Sequence, residues 1–565
     1  MPVSADLIVI NARILTMDAA NPRAEAIALA GGRIAAIGSD GDILALKGKQ
    51  TRIVDAGGAS VLPGFIESHI HMFGGAEELG HLQLAGRKAI RPHHHFVAGI
   101  DRLAVQDAGH VERLGVRPAG VMIGADKHDR AVRDDAVDMV ARQRLVFGNH
   151  RVTGADHHTS WANTKALDMA GILHGRTVNP GNEVVMGPDG LATGELRESE
   201  AMSPVLHLGG PNRTHLGIET GGEPNPAPTA AEWEADKAIM RRGLAHAAKH
   251  GITSFHNMDG NFYQLQLMAA LEEDGTITVR GQVPYHFKKP MTLADLEKAS
   301  EMDRRYRSEW VSSGMVKVFM DGVLESGTAF LVEPYADRPD WHGDPYFSNE
   351  EFSELATEID RRGLQIAVHA IGDGAVRRVL NGYEAAQKAN GARDRRHRIE
   401  HVELITEEDM PRFAKLGVIA SMQPPHPPGG MCFPLEPTLS RIGEKRRCLA
   451  YAWRRIKETG AALAFSSDWP VSPIDPIAGI QAAVTRTVWQ EGDPDHSVSL
   501  HDAIAAYTIG SAYAEFSEDR KGMLKLGYLA DLVILDSDIE AVSPERIGKI
   551  RPKMTICGGR VTYEI

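Results

Sequence analysis

Eight short apolar segments alternate with amphipathic helical stretches, and this alternation restricts the fold more than any other feature of the chain. The segments are Val61–Ile66, Ile252–His256, Ile277–Val283, Met315–Phe319, Leu364–His369, Arg398–His401, Val418–Ser421 and Ala462–Ser466. Stretches such as Tyr263–Glu273, Phe352–Arg361, Val376–Lys388 and Leu449–Glu458 lie between them. Strands that alternate with helices form a parallel sheet. Eight such units predict an α/β fold closed into a (β/α)8 TIM-like barrel. A doubly wound open sheet is the competing arrangement. No glycine-rich dinucleotide or P-loop fingerprint follows any of the strands, which counts against it.

The two ends of the chain have a different texture. Ala5–Leu15 is rich in Val and Ile, and Gly31-Gly32 reads as a hairpin turn between Ala26–Leu29 and Arg33–Ile37. Ala530–Leu535 and the Gly558-Gly559 turn within Met554–Tyr563 repeat that pattern. Two distant β segments predict one small β-sandwich domain from residues 1–58 plus 516–565, or else two unrelated extensions. The barrel is then 59–74 plus 246–515. Residues 75–245, after strand 1, are too many for a βα loop. They read as an inserted subdomain covering the active face, with the Gly/Pro run 221–228 as its exit linker.

Composition narrows the function. The 565 residues are 43% apolar and 24% charged, ordinary for a soluble globular protein with a sizeable core. A net charge of −13 argues against binding a phosphate backbone. The three cysteines form no CxxC pair, so neither a disulfide scaffold nor a thiolate zinc site is expected. No apolar run is long enough to span a membrane, and the N-terminal stretch lacks the pattern of a signal peptide. A cytoplasmic location is therefore expected.

The unusual count is 25 histidines. Histidine is the commonest metal ligand, so spacing matters. His69 and His71 end the first strand, and strand residues two apart point to the same side. Inside a barrel both reach one metal. The other strand ends carry His369, His401 and Asp468, while Lys317 lies in strand four. Charged groups inside a barrel are costly unless paired or metal-bound, and barrel enzymes place their chemistry at the C-terminal strand ends. His93-His94-His95 reads as a loop, because three adjacent strand residues cannot face one ion. His256 and His286 also lie at strand ends and are candidates to support the ligands.

The stretches GFIESHIH, DHHTSWANTKAL, TGELRE, GITSFHNM, VKVFMDG, HAIGDGAV, HRIEHVEL, SMQPPH and SSDWP carry a resemblance over nearly the whole chain. It resembles the amidohydrolase superfamily, in its YtcJ-like branch (amidohydrolase family 3), which includes N-substituted formamide deformylases. The resemblance implies that His69 and His71 hold the more buried metal, with Asp468 as its axial ligand and proton acceptor. It implies that His369 and His401 hold a second metal. Lys317 stands where many relatives carry a carboxylated lysine bridging two metals; the alternative is a single-metal site with an ordinary ammonium. One or two divalent ions are expected, zinc first.

The same resemblance makes His158, with Trp161 and Asn163 in the insertion, a substrate-pocket candidate, and Glu198 likewise; capping of the following helix is the other role open to His158. His426, after strand seven, is expected to face the pocket. Asp321 either positions Lys317 or caps a helix. A basic residue common in relatives is replaced by Gly327, which removes one anchor for an anionic substrate. The expected activity is metal-dependent hydrolysis of a non-peptide C–N bond in a small amide, N-formyl or N-acyl amine. Deamination, dipeptide or N-acyl amino acid hydrolysis on the same site, or a catalytically silent regulator, are the alternatives. The expected partner is a small-molecule substrate, with no nucleic acid and no membrane, in a homodimer.

Overall fold

The computed structural model describes residues 4–84, 151–153, 158–162, 164–206, 208, 222–486 and 488–565. Eight strands surround its centre: β1 Phe65–Ile70, β2 Ile252–Asn257, β3 in two pieces (Arg280–Gln282 and Tyr285–His286), β4 Met315–Phe319, β5 Gln365–Ala370, β6 Arg398–His401, β7 Ile419–Met422 and β8 Leu463–Phe465. Each pairs in parallel with its sequence neighbour. The ring closes where the Asp468 N–H donates to the His69 carbonyl at 3.0 Å and Ser68 Oγ donates to the Phe465 carbonyl at 3.1 Å. Helices pack outside, so the fold is an α/β TIM barrel.

Two expected strands differ in detail. The first is really two. Ser60–Pro63 pairs with Leu532–Leu535 and Arg13–Leu15 outside the barrel, and Phe65–Ile70 is the barrel strand. The chain crosses between them at Gly64, where a Cβ would lie 2.3 Å from the Thr253 side chain. The third strand is interrupted at Pro284, which has no N–H to give a ladder.

The chain termini build two sheets that share one apolar core. One has strands 33–38, 26–30, 5–10 and 47–55 in that order; the other has 560–564, 552–557, 532–535, 60–63, 13–15 and 23–24. Leu7, Val9, Ile27 and Leu29 of the first pack with Ile14, Val61, Leu532, Ile534 and Ile556 of the second.

The expected end of the insertion at 245 falls inside the helix Ala230–Lys249 and needs correcting. Thr229 and Glu232 form a capping box that starts this helix, and its apolar face (Met240, Leu244, Ala247, Ala248) is buried in the barrel's core cluster. The barrel therefore resumes at about residue 230. The described part of the insertion has its own sheet, ordered 183–186, 192–197, 159–162 and 151–153, over Ala166, Leu167, Ile172 and Leu196. His93-His94-His95 and Asn163 lie outside the described residues. No described helix is long and apolar enough to cross a membrane.

Candidate metal centre

Strand alternation brings Glu67 and His69 of β1 inward, with His71 just past the strand end. The His69 and His71 rings stand 5.6 Å apart. Both Nε2 atoms are 3.3 Å from one oxygen, Oδ1 of Asp468. Asp468 follows β8 with φ of 60°, and His401 ends β6 with φ of 76°. Left-handed backbone at such residues costs about 1–3 kcal/mol each. It re-aims the side chains: the His401 ring comes to 4.7 Å from the His69 ring. Ordinary alternation would have sent His401 away from its neighbour Glu400, yet both touch His69.

Ligand atoms of His69, His401 and Asp468 lie within 4.8 Å of one another, and all three residues are buried. Asp468 Oδ1 and His69 Nε2 have no hydrogen-bond partner. A buried carboxylate oxygen and imidazole nitrogen left side by side without partners are the donor set a divalent cation satisfies. With no thiolate, that set suits zinc, manganese or iron. Burial opposes the Asp468 charge, but His69 and His71 outweigh it and hold the carboxyl well below its ordinary range. It is therefore ionised.

Each candidate ligand is held from behind. Glu400 Oε2 meets His69 Nδ1 at 2.7 Å, Asp259 Oδ1 meets His71 Nδ1 at 2.6 Å, and Gln423 Oε1 meets His401 Nδ1 at 2.9 Å. Such contacts fix the ring and leave Nε2 facing the metal position. Burial opposes the charge on His71 too, but Asp259 and Asp468 raise its pKa to about 9. A metal held by His71 would have to displace that proton.

Glu400 is itself clamped by Arg398, fully buried on the same strand, through Nε at 2.5 Å and Nη2 at 3.1 Å. The guanidinium also donates to Ser421 Oγ at 2.8 Å, to His256 Nδ1 at 2.7 Å and to the Ser68 carbonyl. One side chain thus ties β6 to β1, β2 and β7. The network continues from His256 Nε2 to Glu515 at 3.5 Å, and Glu515 pairs with Lys521. His256 therefore supports the ligands through Arg398. Sequence reasoning missed Glu400, Arg398, Asp259 and Gln423. Three of the four sit within two residues of a predicted ligand or of a barrel strand's end, and a search for carboxylates or amides behind each histidine would have found them.

The remaining predicted ligands stand beside this cluster. The His369 ring is 4.5 Å from that of His401 and stacks on Phe319 at 4.5 Å, while its Nε2 faces the Gly322 carbonyl at 3.0 Å. Burial, with His158 and Lys317 adding to it, pushes its pKa well below the ordinary value. Lys317 is fully buried, and its Nζ has no hydrogen-bond partner. Burial pulls its pKa down to about 8 against the opposing pull of Glu400 and Asp468. Asp321 does not reach Lys317 by any hydrogen bond of its own. Its carboxylate accepts backbone N–H groups from Phe330, Ile371 and Gly372 at 2.9–3.0 Å, which pins the loop after β5. It lies 3.9 Å from His369 Nε2.

The insertion contributes His158, whose ring is 5.7 Å from that of His369. Glu198 Oε2 holds His158 Nδ1 at 2.7 Å, and Glu198 Oε1 accepts from Thr328 Oγ1 at 2.7 Å. Gly322 leaves room for this pair, since a Cβ there would lie 2.3 Å from Glu198 Oε1. Trp161 lies in strand Thr159–Ala162, half-buried and opposite Glu195. His426 stacks on His401 at 6.2 Å, with Nδ1 3.5 Å from Glu403 and Nε2 4.0 Å from Asp468 Oδ2. The space above Gly327 is not empty of charge: Arg441 Nη1 reaches it from the helix Thr438–Arg446.

Residues 52–563 match the model of the Amidohydrolase family. The chain is 29% identical to Protein LONG AFTER FAR-RED 3 of Arabidopsis thaliana, over 95% of this chain and 88% of that one. It is 24% identical to the N-substituted formamide deformylase of Arthrobacter pascens, over 99% and 98%. A solved structure described as an uncharacterized metal-dependent hydrolase from Pyrococcus horikoshii OT3 superposes with a TM-score of 0.66 at 24% identity, over 95% of this chain and 99% of that one. With the match spanning nearly its whole length, the chain belongs to the amidohydrolase family.

Proposed function

We propose that this protein is a zinc-dependent hydrolase that cleaves a non-peptide C–N bond in a small amide, N-formyl or N-acyl amine. The observation that carries the reading is the buried His69, His401 and Asp468 cluster, with ligand atoms within 4.8 Å. His71 joins it through Asp468 Oδ1. His369 and Lys317 would serve a second ion, Lys317 as the carbamate that its neutral amine forms with carbon dioxide on losing a proton. A bound divalent cation supplies Lewis acidity, which acidifies water and polarises a carbonyl.

The chain's own residues do the rest. Asp468, ionised and beside both His69 and His71, takes the proton of the attacking water and returns it to the leaving amine. His158, oriented by Glu198, forms one wall of the substrate pocket from the insertion, and His426 stands 4.0 Å from Asp468 Oδ2. Burial excludes bulk water and strengthens each of these interactions.

The test is a panel of amides, N-formyl amines, N-acyl amino acids and ureas offered to zinc-loaded protein. At least one class is expected to be cleaved, and Asp468→Asn is expected to keep its fold and lose roughly 100-fold or more in kcat. Near wild-type turnover in that variant removes Asp468 from the role.

A further inference from the structure

Glu67 faces into the barrel one inward position before His69, yet it is not among the groups that hold His69, His71 or His401. It is fully buried. Its Oε2 accepts two hydrogen bonds, from the Ser467 N–H at 2.8 Å and from Ser467 Oγ at 2.7 Å. Its Oε1 is enclosed and has no hydrogen-bond partner. A carboxyl group shut away from water with one oxygen unmatched is a costly way to fill a core, and a methionine there would pack without that cost. The residue that Glu67 grips is the one before Asp468.

Every polar group of Ser467 is taken. Its N–H and Oγ–H go to Glu67, its Oγ accepts from the Trp469 N–H at 3.2 Å, and its carbonyl accepts from Ser472 Oγ. The next two residues are tied to the same strand. The Asp468 N–H donates to the His69 carbonyl at 3.0 Å, and the His71 N–H donates to the Trp469 carbonyl at 2.8 Å. Residues 467, 468 and 469 are thus gripped in turn by 67, 69 and 71. Backbone does this for the last two, and at Ser467 the Glu67 side chain stands in for a backbone acceptor. Asp468 has φ of 60°. Backbone in that region persists only while its surroundings over-determine it. Relaxation there would swing the Asp468 carboxylate away from the point 3.3 Å from both His69 Nε2 and His71 Nε2.

We infer that Glu67 is a positioning residue: through Ser467 it holds Asp468 in its left-handed turn and so sets where the Asp468 carboxylate stands. Among the described residues both hydrogen bonds of Glu67 end on Ser467, so it acts through that residue and not by touching the ligands. The role needs an acceptor at the Oε2 position. Glutamine can supply one and methionine cannot. The inference rests on Asp468 as a metal ligand and proton acceptor, and it deepens that reading.

The experiment compares wild type with Glu67→Gln, Glu67→Met, Ser467→Ala and Asp468→Asn. Zinc affinity is measured by chelator competition. The visible absorption spectrum is recorded with cobalt(II) in place of zinc, because it reports the ligand geometry around the ion. Turnover of a substrate from the amide panel is the third readout. Glu67→Met is expected to lose about 10- to 100-fold in zinc affinity and to shift the cobalt spectrum, as Asp468→Asn does. Its kcat is expected to fall roughly 100-fold with KM little changed. Glu67→Gln is expected to keep the wild-type spectrum and most of the zinc affinity. Ser467→Ala loses one of the two bonds, is expected to fall between them, and decides the matter if Glu67→Met does not fold. The inference is overturned if Asp468→Asn shifts the spectrum while Glu67→Met and Ser467→Ala keep wild-type spectra and zinc affinity and merely melt lower. It is also overturned if Glu67→Gln falls as far as Glu67→Met, which would make charge and not the acceptor decisive. The hydrolase reading fails separately: if wild type cleaves nothing in the panel, zinc affinity and the cobalt spectrum still decide the role of Glu67.

Discussion

The clamp of Arg398 on Glu400 behind His69 makes a quantitative prediction, best read from a double-mutant cycle. Glu400→Gln leaves a fully buried guanidinium without its counter-charge; Arg398→Met leaves a fully buried carboxylate without its guanidinium, held only by His69. Breaking a buried pair from one side costs about 3–5 kcal/mol. Independent losses would sum to about 6–10 kcal/mol in the double variant. The double variant, however, strands neither charge, so its cost is expected to fall short of the sum by at least about 2 kcal/mol. His69 also loses its fixed partner, and zinc affinity is expected to fall about 10- to 100-fold in Glu400→Gln. Urea unfolding of the four metal-free proteins measures the first quantity, and chelator competition measures the second. Costs that add to within about 0.5 kcal/mol, or an unchanged zinc affinity, would refute this account of how His69 is held.

Two further outcomes are expected. His71 is protonated up to a pKa of about 9 in the metal-free protein, so protons compete with metal, and lower pH weakens binding. Zinc affinity is expected to rise about tenfold per pH unit from about pH 6 to 8, and a flat profile would exclude His71 from the ligand set. His158→Ala is expected to raise KM or shift substrate preference at normal metal content, because its ring stands against His369; lost thermal stability with unchanged activity ratios would make His158 a structural residue of the insertion.

Much of this site was legible in the sequence because strand geometry has a period of two. His69 and His71 could be placed on one side, and Asp468 at the last strand end, without coordinates. Two things were not legible. His401 reaches the centre through a left-handed φ of 76°, and no alternation pattern announces that. Glu400 and Arg398 read as charged residues of an apolar strand, and their partners His69, Ser68, His256 and Ser421 lie on three other strands. Long-range pairing of that kind is set by the closed barrel. The same holds for Arg441, more than a hundred residues from Gly327 in sequence: an absent side chain was readable at 327, but not which helix would fill its space. The insertion boundary was misplaced for a local reason, since the Thr229–Glu232 capping box was there to be read.

Metal content measured with activity tests the central claim most directly. Purified protein is expected to carry one to two transition-metal ions per chain by elemental analysis, as His69, His71, His369, His401 and Asp468 together imply. Chelation is expected to abolish hydrolysis, and zinc to restore it. A preparation free of metal that hydrolyses its substrate at the full rate would contradict the account.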